Sequence, residues 1–199
     1  MSKKIRADEA CREVRAVLRK FQEGYTLRDL GALDDFMQLF APDEEVEVIG
    51  TGALVPGEGE WCLDRLTVRK LIEGDWKHWG DVQLDVEGAN IFALGDVAWL
   101  ATSGTVFRVL ETREAYENFL GYIRWSLEGE DQCSAEAKVL DILRGGANTV
   151  YEVQRGEQYI WPFRFTAVLV RRDACWRFHQ IQFSFPTTHF PDERRFADA

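Results

Sequence analysis

Several features that mark common classes of protein are scarce in this sequence. Its 199 residues include four cysteines, three histidines and five prolines, and 24 Lys and Arg face 34 Asp and Glu. The cysteines have no C-x-x-C spacing, and no histidine has a second ligand at metal-binding spacing, so we expect neither a disulfide framework nor a zinc site. The formal net charge of −10 disfavours nucleic acids and anionic membranes as partners, because both require a basic surface.

Long hydrophobic runs are missing as well. The sequence has no stretch of 18 apolar residues, so no membrane-spanning helix is expected, and its basic start is not followed by an apolar signal segment. The glycine motifs of nucleotide-binding loops are also absent, and no cofactor is expected. With 46% hydrophobic and 29% charged residues, the chain is typical of a globular, cytoplasmic protein with a single domain over 1–199.

The spacing of apolar residues predicts helices in the first part of the chain. A helical stripe begins near Ala10 and is expected to end at Gly24, where glycine commonly terminates a helix. A second helical stretch is expected to open at Thr26 and to end before Pro42. A third is expected over about residues 63–78.

Alternating apolar and polar residues predict long strands later in the chain. They are expected over 82–94 and 97–110, joined at Gly95-Asp96, and over 159–171 and 175–185, joined at residues 172–174. Between the two pairs, residues of about 111–157 return to helical spacing, with Gly145-Gly146 as the expected end of the last helix. Because strands and helices do not alternate, the class is α+β, with a helical insertion at 111–157 and a patternless tail at 186–199.

The last two strands have no typical solvent face. Strict alternation places His179, Ile181 and Phe183 on one face of the final strand, and Trp176 and Phe178 on the other. Both faces are partly apolar, so both should be covered. One face should meet the helices, and the other should meet a second subunit or else the inserted helices. We expect a homodimer through this second face, formed by Arg164, Thr166, Trp176, Phe178, Gln180 and Gln182.

Three segments carry a resemblance to a known family. They are Phe36-Met-Gln-Leu-Phe40, Gly95-Asp-Val-Ala-Trp99 and the closing pair of strands from Phe165 to Ser184. Together they resemble the nuclear transport factor 2-like (NTF2-like) superfamily, with the SnoaL-like branch of polyketide cyclase and ketosteroid isomerase-like proteins as the best match. The resemblance implies a cone-shaped, strongly curved antiparallel sheet wrapped around N-terminal helices, an apolar pocket, and dimers through the convex face.

The resemblance does not carry over a complete catalytic set. A ketosteroid isomerase-like site needs a carboxylate base, a protonated acid and a tyrosine. The alignment places Val48 at the base position and Phe165 at the acid position, and only Tyr25 lies near the tyrosine. A shift of one residue would make Glu47 the base.

The candidate site residues follow from strand parity and from the resemblance. His179 is expected to point into the pocket as a general acid or base, or else to be a hydrogen-bonded lining histidine, with Tyr25 as a possible donor. The ligand-binding residues are expected to be Phe40, Trp61, Ile72, Trp76, Phe165 and Phe183.

Two functions stay open at this point. In the first, the protein binds a small apolar molecule, and if it is an enzyme it catalyses a cofactor-free isomerisation, dehydration or cyclisation. In the second, it is a non-catalytic dimerisation or assembly module whose pocket is filled by side chains.

Overall fold

The computed structural model describes residues 3–109, 112–128, 134–154 and 158–185, so the tail at 186–199 lies outside the described residues. Its helices are α1 (Lys3–Leu27), α2 (Leu33–Phe36), α3 (Arg65–His78), α4 (Thr112–Glu128) and α5 (Ala135–Gln154). Its strands are β1 (Glu47–Ile49), β2 (Trp61–Cys62), β3 (Asp81–Leu84), β4 (Asn90–Leu94), β5 (Val97–Val109), β6 (Gln158–Arg172) and β7 (Cys175–Ser184). The α+β class is confirmed.

Helix α1 continues past the glycine at which it was expected to end. A Cβ atom on Gly24 would lie 2.3 Å from the ring of Phe36, so this glycine allows the following segment to pack closely against the helix. The helix ends instead at Arg28, which adopts a positive φ of 48° and donates its amide to the Gly24 carbonyl. Asp29, rather than Thr26, caps the next turn by accepting the amide of Gly31.

The strands form one curved sheet in the order β2-β1-β7-β6-β5-β3, with β4 also paired to β5. The predicted strand over 82–94 is divided into β3 and β4, while the turn at Gly95-Asp96 is present with Gly95 at φ 64°. The pairing of β1 with β7 is parallel, so the sheet is not wholly antiparallel.

The β6–β7 hairpin contains an irregularity that changes the face of half a strand. Its turn has positive φ at Asp173 and Ala174, as a two-residue hairpin requires. Val168 pairs with Gln180, but the next residue, Leu169, pairs with Phe178, which leaves His179 as an extra residue on β7. This β-bulge reverses the alternation along the strand.

The predicted faces of β7 are therefore wrong for half of the strand. Trp176 and Phe178 were expected on the convex face, but they are buried in the core, at 5% and 0% exposure. Ile181 and Phe183, beyond the bulge, are buried too. Strict alternation would place Trp176 and Phe178 on one face and Ile181 and Phe183 on the other. The extra residue, His179, shifts the alternation by one, so all four side chains face the core.

The core between α1 and the sheet is dominated by aromatic rings. Phe21 is 1% exposed, and its ring centroid lies within 6.4 Å of six others. The six are those of Tyr25, Phe36, Phe40, Phe165, Phe178 and Phe183. Large rings of this kind bury much apolar area and pack with specific geometry, so this cluster is a main source of stability.

The chain divides into two units, one of residues 1–106 and 161–199 and the other of residues 107–160. The second unit contains α4 and α5, in the segment predicted as a helical insertion. Gly145 and Gly146 were expected to end α5, but the helix continues through them to Gln154. Both glycines lie against the ring of Phe119 from α4. A Cβ at Gly145 would come within 2.7 Å of that ring, so these glycines permit close helix packing.

No helix in the described ranges is both long and apolar enough to cross a lipid bilayer.

Candidate functional site

A pocket lies in the first unit, at the end of α3 and beside β7. It is lined by Gly50, Thr51, Glu60, Leu71, Asp75, Trp79 and Phe183, and we call it the Asp75 pocket. Its volume is about 300 Å³, part of which is open to solvent. That is room for a few small groups rather than for a large molecule enclosed on all sides.

Helix α3 and the residue that follows it supply three of the side chains that line this pocket. Leu71, Asp75 and Trp79 are four residues apart and therefore lie on one face of the helix. Asp64 fixes the start of α3 by accepting the amide of Thr67 at 2.8 Å. The helix thus presents one carboxyl group between two apolar side chains.

Asp75 is held by a hydrogen bond from α1. The hydroxyl of Tyr25 donates to Oδ2 of Asp75 at 2.9 Å, and in the described residues no other hydrogen bond reaches this carboxylate. Burial is the main cause that raises the pKa of Asp75 to about 7, with the charge of Glu60 adding to the rise and the Tyr25 hydrogen bond opposing it. A group with such a pKa can give or accept a proton near neutral pH.

Tyr25 serves as a donor only. Its side chain is 2% exposed, and burial raises the pKa of its hydroxyl well above the ordinary value, with the neighbouring Asp75 adding to the effect. The hydroxyl therefore keeps its proton, and its role is to orient the Asp75 carboxyl group. Tyr25 is not among the residues that line the pocket and contacts it through Asp75, so its predicted role as a donor to a substrate stays a prediction.

Glu60 connects the pocket to a glycine-rich loop. Its Oε2 accepts the amide of Gly52 at 2.7 Å, and its backbone carbonyl accepts the amide of Gly50 at 2.9 Å. A Cβ on Gly50 would lie 2.4 Å from the Glu60 carboxylate, so the close approach of the two segments requires glycine there. The loop and the carboxylate therefore hold each other in place.

Most of the predicted ligand-binding residues belong to the core. Phe40, Ile72, Trp76, Phe165 and Phe183 are all buried, with exposures of 5% or less, and of these only Phe183 lines the Asp75 pocket. Trp61 is half-buried and donates its Nε1 to Glu47 Oε1 at 2.8 Å. The interior of the sheet is thus largely filled by rings, which leaves a small pocket at its rim.

The structure places His179 away from the Asp75 pocket. It lies near Glu45 and Arg172, and partial burial lowers the pKa of its imidazole, with the charge of Glu45 opposing that shift. The expected orientation, together with Phe165 and Phe183 in the pocket, is not found, because His179 is the bulged residue. A catalytic role for His179 stays a prediction, and this location gives it no support.

Glu47, the alternative base, forms hydrogen bonds with residues that do not line the Asp75 pocket. Its Oε1 accepts from Trp61, and its Oε2 accepts from Gln180 Nε2 at 2.7 Å, while the adjacent Val48 is buried at 3% exposure. Both oxygens of Glu47 therefore have partners on the side of the sheet opposite Val48.

Part of the predicted dimer face is on the outer side of the sheet. Arg164, Thr166 and Gln182 are exposed, and Gln180 is half-buried against Glu47. Trp176 and Phe178 do not belong to this face, for the reason given above. The homodimer itself stays a prediction.

Sequence reasoning missed Asp75, Glu60 and Trp79 as site residues. The available signal was a carboxylate on the apolar stripe of α3, four residues after Leu71 and four before Trp79. A charged residue inside such a stripe is unusual and indicates either a partner or a function. Within the described ranges, no group of three or more His, Cys, Asp or Glu is arranged to hold a metal ion.

The pKa of Asp75 makes stability depend on pH. Relative to an Asp75→Asn variant, the protein is expected to lose about 2–3 kcal/mol of unfolding free energy between pH 4.5 and pH 8. The folded pKa of about 7 exceeds the ordinary 3.8, so the folded state binds more protons than the unfolded state in this window, and stability falls as pH rises. Asparagine keeps an oxygen that accepts from Tyr25 and has no proton to lose. Urea unfolding of both proteins at the two pH values measures the difference, and parallel pH dependences would contradict the raised pKa.

The comparisons with known proteins rest on structure, since neither family models nor curated protein sequences give a match. An NTF2-like protein of unknown function from Pseudomonas putida KT2440 aligns with 94% of this chain and 92% of its own, at 11% identity and a TM-score of 0.55. The chain has the NTF2-like fold. A proposed dehydratase of the NTF2-like family from Streptomyces avermitilis aligns with 90% of this chain and 98% of its own, at 11% identity and a TM-score of 0.57.

A third structural neighbour is a proposed scytalone dehydratase from Novosphingobium aromaticivorans DSM 12444. It aligns with 90% of this chain and 88% of its own, at 10% identity and a TM-score of 0.52. The resemblance to the NTF2-like superfamily is thus confirmed in the fold. At identities this low the likeness establishes the fold alone, and the SnoaL-like branch stays a prediction.

Proposed function

We propose that this NTF2-like chain binds a small, largely apolar molecule in the Asp75 pocket and dehydrates it by acid–base catalysis without a cofactor. The observation that carries the proposal is the hydrogen bond of 2.9 Å from Tyr25 to Asp75, at the wall of a pocket that also contains Glu60. A carboxyl group with a pKa of about 7 next to a second carboxylate is the arrangement that paired acid and base catalysis requires.

Each carboxyl group has one role in the proposed reaction on a β-hydroxy carbonyl compound. The Glu60 carboxylate removes the proton next to the carbonyl group, and the protonated Asp75 donates its proton to the departing hydroxyl. The C–H and C–O bonds break, a C=C bond forms, and water leaves. Glu60 then holds a proton and Asp75 is ionised, and proton exchange with solvent restores both groups.

Tyr25 acts as a positioning residue in this scheme. Its hydroxyl occupies Oδ2 of Asp75, so the second oxygen is left for the substrate. Trp79 and Phe183 supply the apolar walls. Two of the structures with this fold are proposed dehydratases, which supports the choice of dehydration over other acid–base reactions.

The neutral aldol adduct of benzaldehyde and acetone is a suitable probe, because its dehydration gives a conjugated ketone that absorbs in the ultraviolet. We expect the protein to accelerate this dehydration and Asp75→Asn to lower the rate about 100-fold, since a positioned proton donor contributes at least that factor. The rate should fall above pH 7, as Asp75 ionises. The absorbance increase measures the rate.

Two further variants separate the roles. Tyr25→Phe removes a hydrogen bond that lowers the pKa of Asp75, so the descending part of the pH profile should move to higher pH. Glu58→Gln changes an exposed carboxylate in the same loop and should leave the rate unchanged. A rate that is equal in the original protein and in Asp75→Asn would overturn the proposed function.

The second candidate function is the non-catalytic module. The rings that fill the interior, with Phe21 at their centre, favour it, because they leave only a small pocket at the rim. An absence of any Asp75-dependent rate, together with a stable oligomer in solution, is the result that this alternative requires.

A further inference from the structure

The charge of the Asp75 pocket also indicates a class of molecule that it binds, an inference that goes beyond the proposed dehydration and does not require it. Among the residues that the structure describes, its lining contains two carboxyl groups, Glu60 and Asp75, and no Lys, Arg or His. The rest of the lining is glycine, threonine, leucine and two aromatic residues. A pocket of this composition attracts a positive charge and repels an anion.

Three of the basic side chains of α3 have partners outside the pocket. Arg65 donates to the carbonyl oxygen of Phe40, Arg69 pairs with Asp34 at 3.0 Å, and Lys77 pairs with Glu73 at 2.5 Å. None of the basic side chains of α3, with Lys70 and His78 included, is among the described residues that line the pocket. The negative charge of the pocket is not neutralised from this side.

The groups that face Asp75 confirm the imbalance. They are Tyr25 on α1, Glu60 in the loop before β2, and Cys62 on β2. Burial is the main cause that raises the pKa of Tyr25, Cys62 and Asp75, and the negative charge of Glu60 adds to each rise. Among the described residues that line the pocket, none carries a positive charge, so a ligand can supply one.

The aromatic walls suit a cation with an apolar substituent. The rings of Trp79 and Phe183 stand at 90° to each other, with their centroids 5.7 Å apart. Aromatic rings attract ammonium groups over their faces, and their surfaces also pack against apolar groups. We propose that the natural ligand of the Asp75 pocket is a small amine in its ammonium form, which pairs with Glu60 and places its apolar part against Trp79 and Phe183.

Three ligands of one skeleton and different charge test this proposal: benzylammonium, benzyl alcohol and benzoate. Calorimetric titration at pH 8 is expected to give benzylammonium at least tenfold higher affinity than benzyl alcohol, because a charge-assisted hydrogen bond to a carboxylate is stronger than a neutral one. Benzoate should not bind. Between pH 6 and pH 8 the affinity for benzylammonium should rise several-fold, because Asp75 becomes ionised in this range.

In the variant Glu60→Gln, the ratio of the affinity for benzylammonium to that for benzyl alcohol is expected to fall at least fivefold. Glutamine keeps an oxygen acceptor for the Gly52 amide, so the loop is preserved. Glu58→Gln, an exposed change in the same loop, is the matched control and should keep the full preference. An unchanged preference in Glu60→Gln, or equal binding of the amine and the alcohol, would overturn the proposal.

The two proposals fail in different experiments. The dehydration probe is neutral, so its Asp75-dependent turnover does not require recognition of an ammonium group. Turnover without preference for the amine would retain the acid–base function and remove the amine as its ligand. Preference for the amine without turnover would retain the binding site and remove the dehydration.

Discussion

Deletion of His179 is expected to abolish folding, whereas His179→Ala is expected to fold with nearly unchanged stability. The deletion removes the extra residue of the β-bulge, so β7 must return to strict alternation against β6. Either Trp176 and Phe178 or Ile181 and Phe183 must then leave the core. All four are at most 5% exposed in the structure.

The size of the effect follows from the side chains that are displaced. Truncating one buried Phe or Trp costs about 3–5 kcal/mol, so exposing two large residues exceeds the stability of many domains. His179→Ala keeps the number of residues, and its cost should stay within about 1 kcal/mol. Circular dichroism and thermal unfolding of both variants measure this, and a deletion variant with a normal melting temperature would contradict the bulge.

Phe21→Ala is expected to lower the unfolding free energy by about 4 kcal/mol. Phe21 is 1% exposed at the centre of the aromatic cluster, and its removal leaves a cavity that the surrounding rings cannot fill without leaving their rotamers. Urea unfolding at pH 6 measures the loss.

The matched control for this change is Phe92→Ala on β4. Phe92 is 57% exposed and contacts one ring, that of Trp99, at 5.8 Å, so its loss should cost less than about 1 kcal/mol. Equal losses for the two variants would show that the Phe21 cluster is not the main source of core stability.

The helices and long strands could be predicted because their signals are local. Apolar spacing and the turn at Gly95-Asp96 depend on neighbouring residues only. The bulge at His179 depends on the pairing of β7 with β6, and one strand read alone carries no sign of it. Glycines were misleading for a related reason: Gly24 and Gly145 permit close packing against rings distant in sequence, and they do not break their helices.

The candidate site could be predicted only in part. Tyr25 was identified from the family resemblance. Asp75 was not identified, because the apolar spacing along α3 is typical of a helix face that packs in the core. The pair becomes visible only when α1 and α3 are packed together, since 50 residues separate them in sequence. Glu60 was missed because a carboxylate in a glycine-rich loop is usually solvated.

The placement of the second unit has a consequence for the entropy of the chain. Strands β5 and β6 are neighbours in the sheet, although α4 and α5 lie between them in sequence. The entropy lost on closing a loop grows only with the logarithm of its length, so a connection of roughly 50 residues costs about 2–3 kcal/mol more than a tight turn. The sheet can therefore accept connections of very different length at this point, and the β5–β6 junction is a position at which the fold can gain or exchange whole segments while its own strands stay the same.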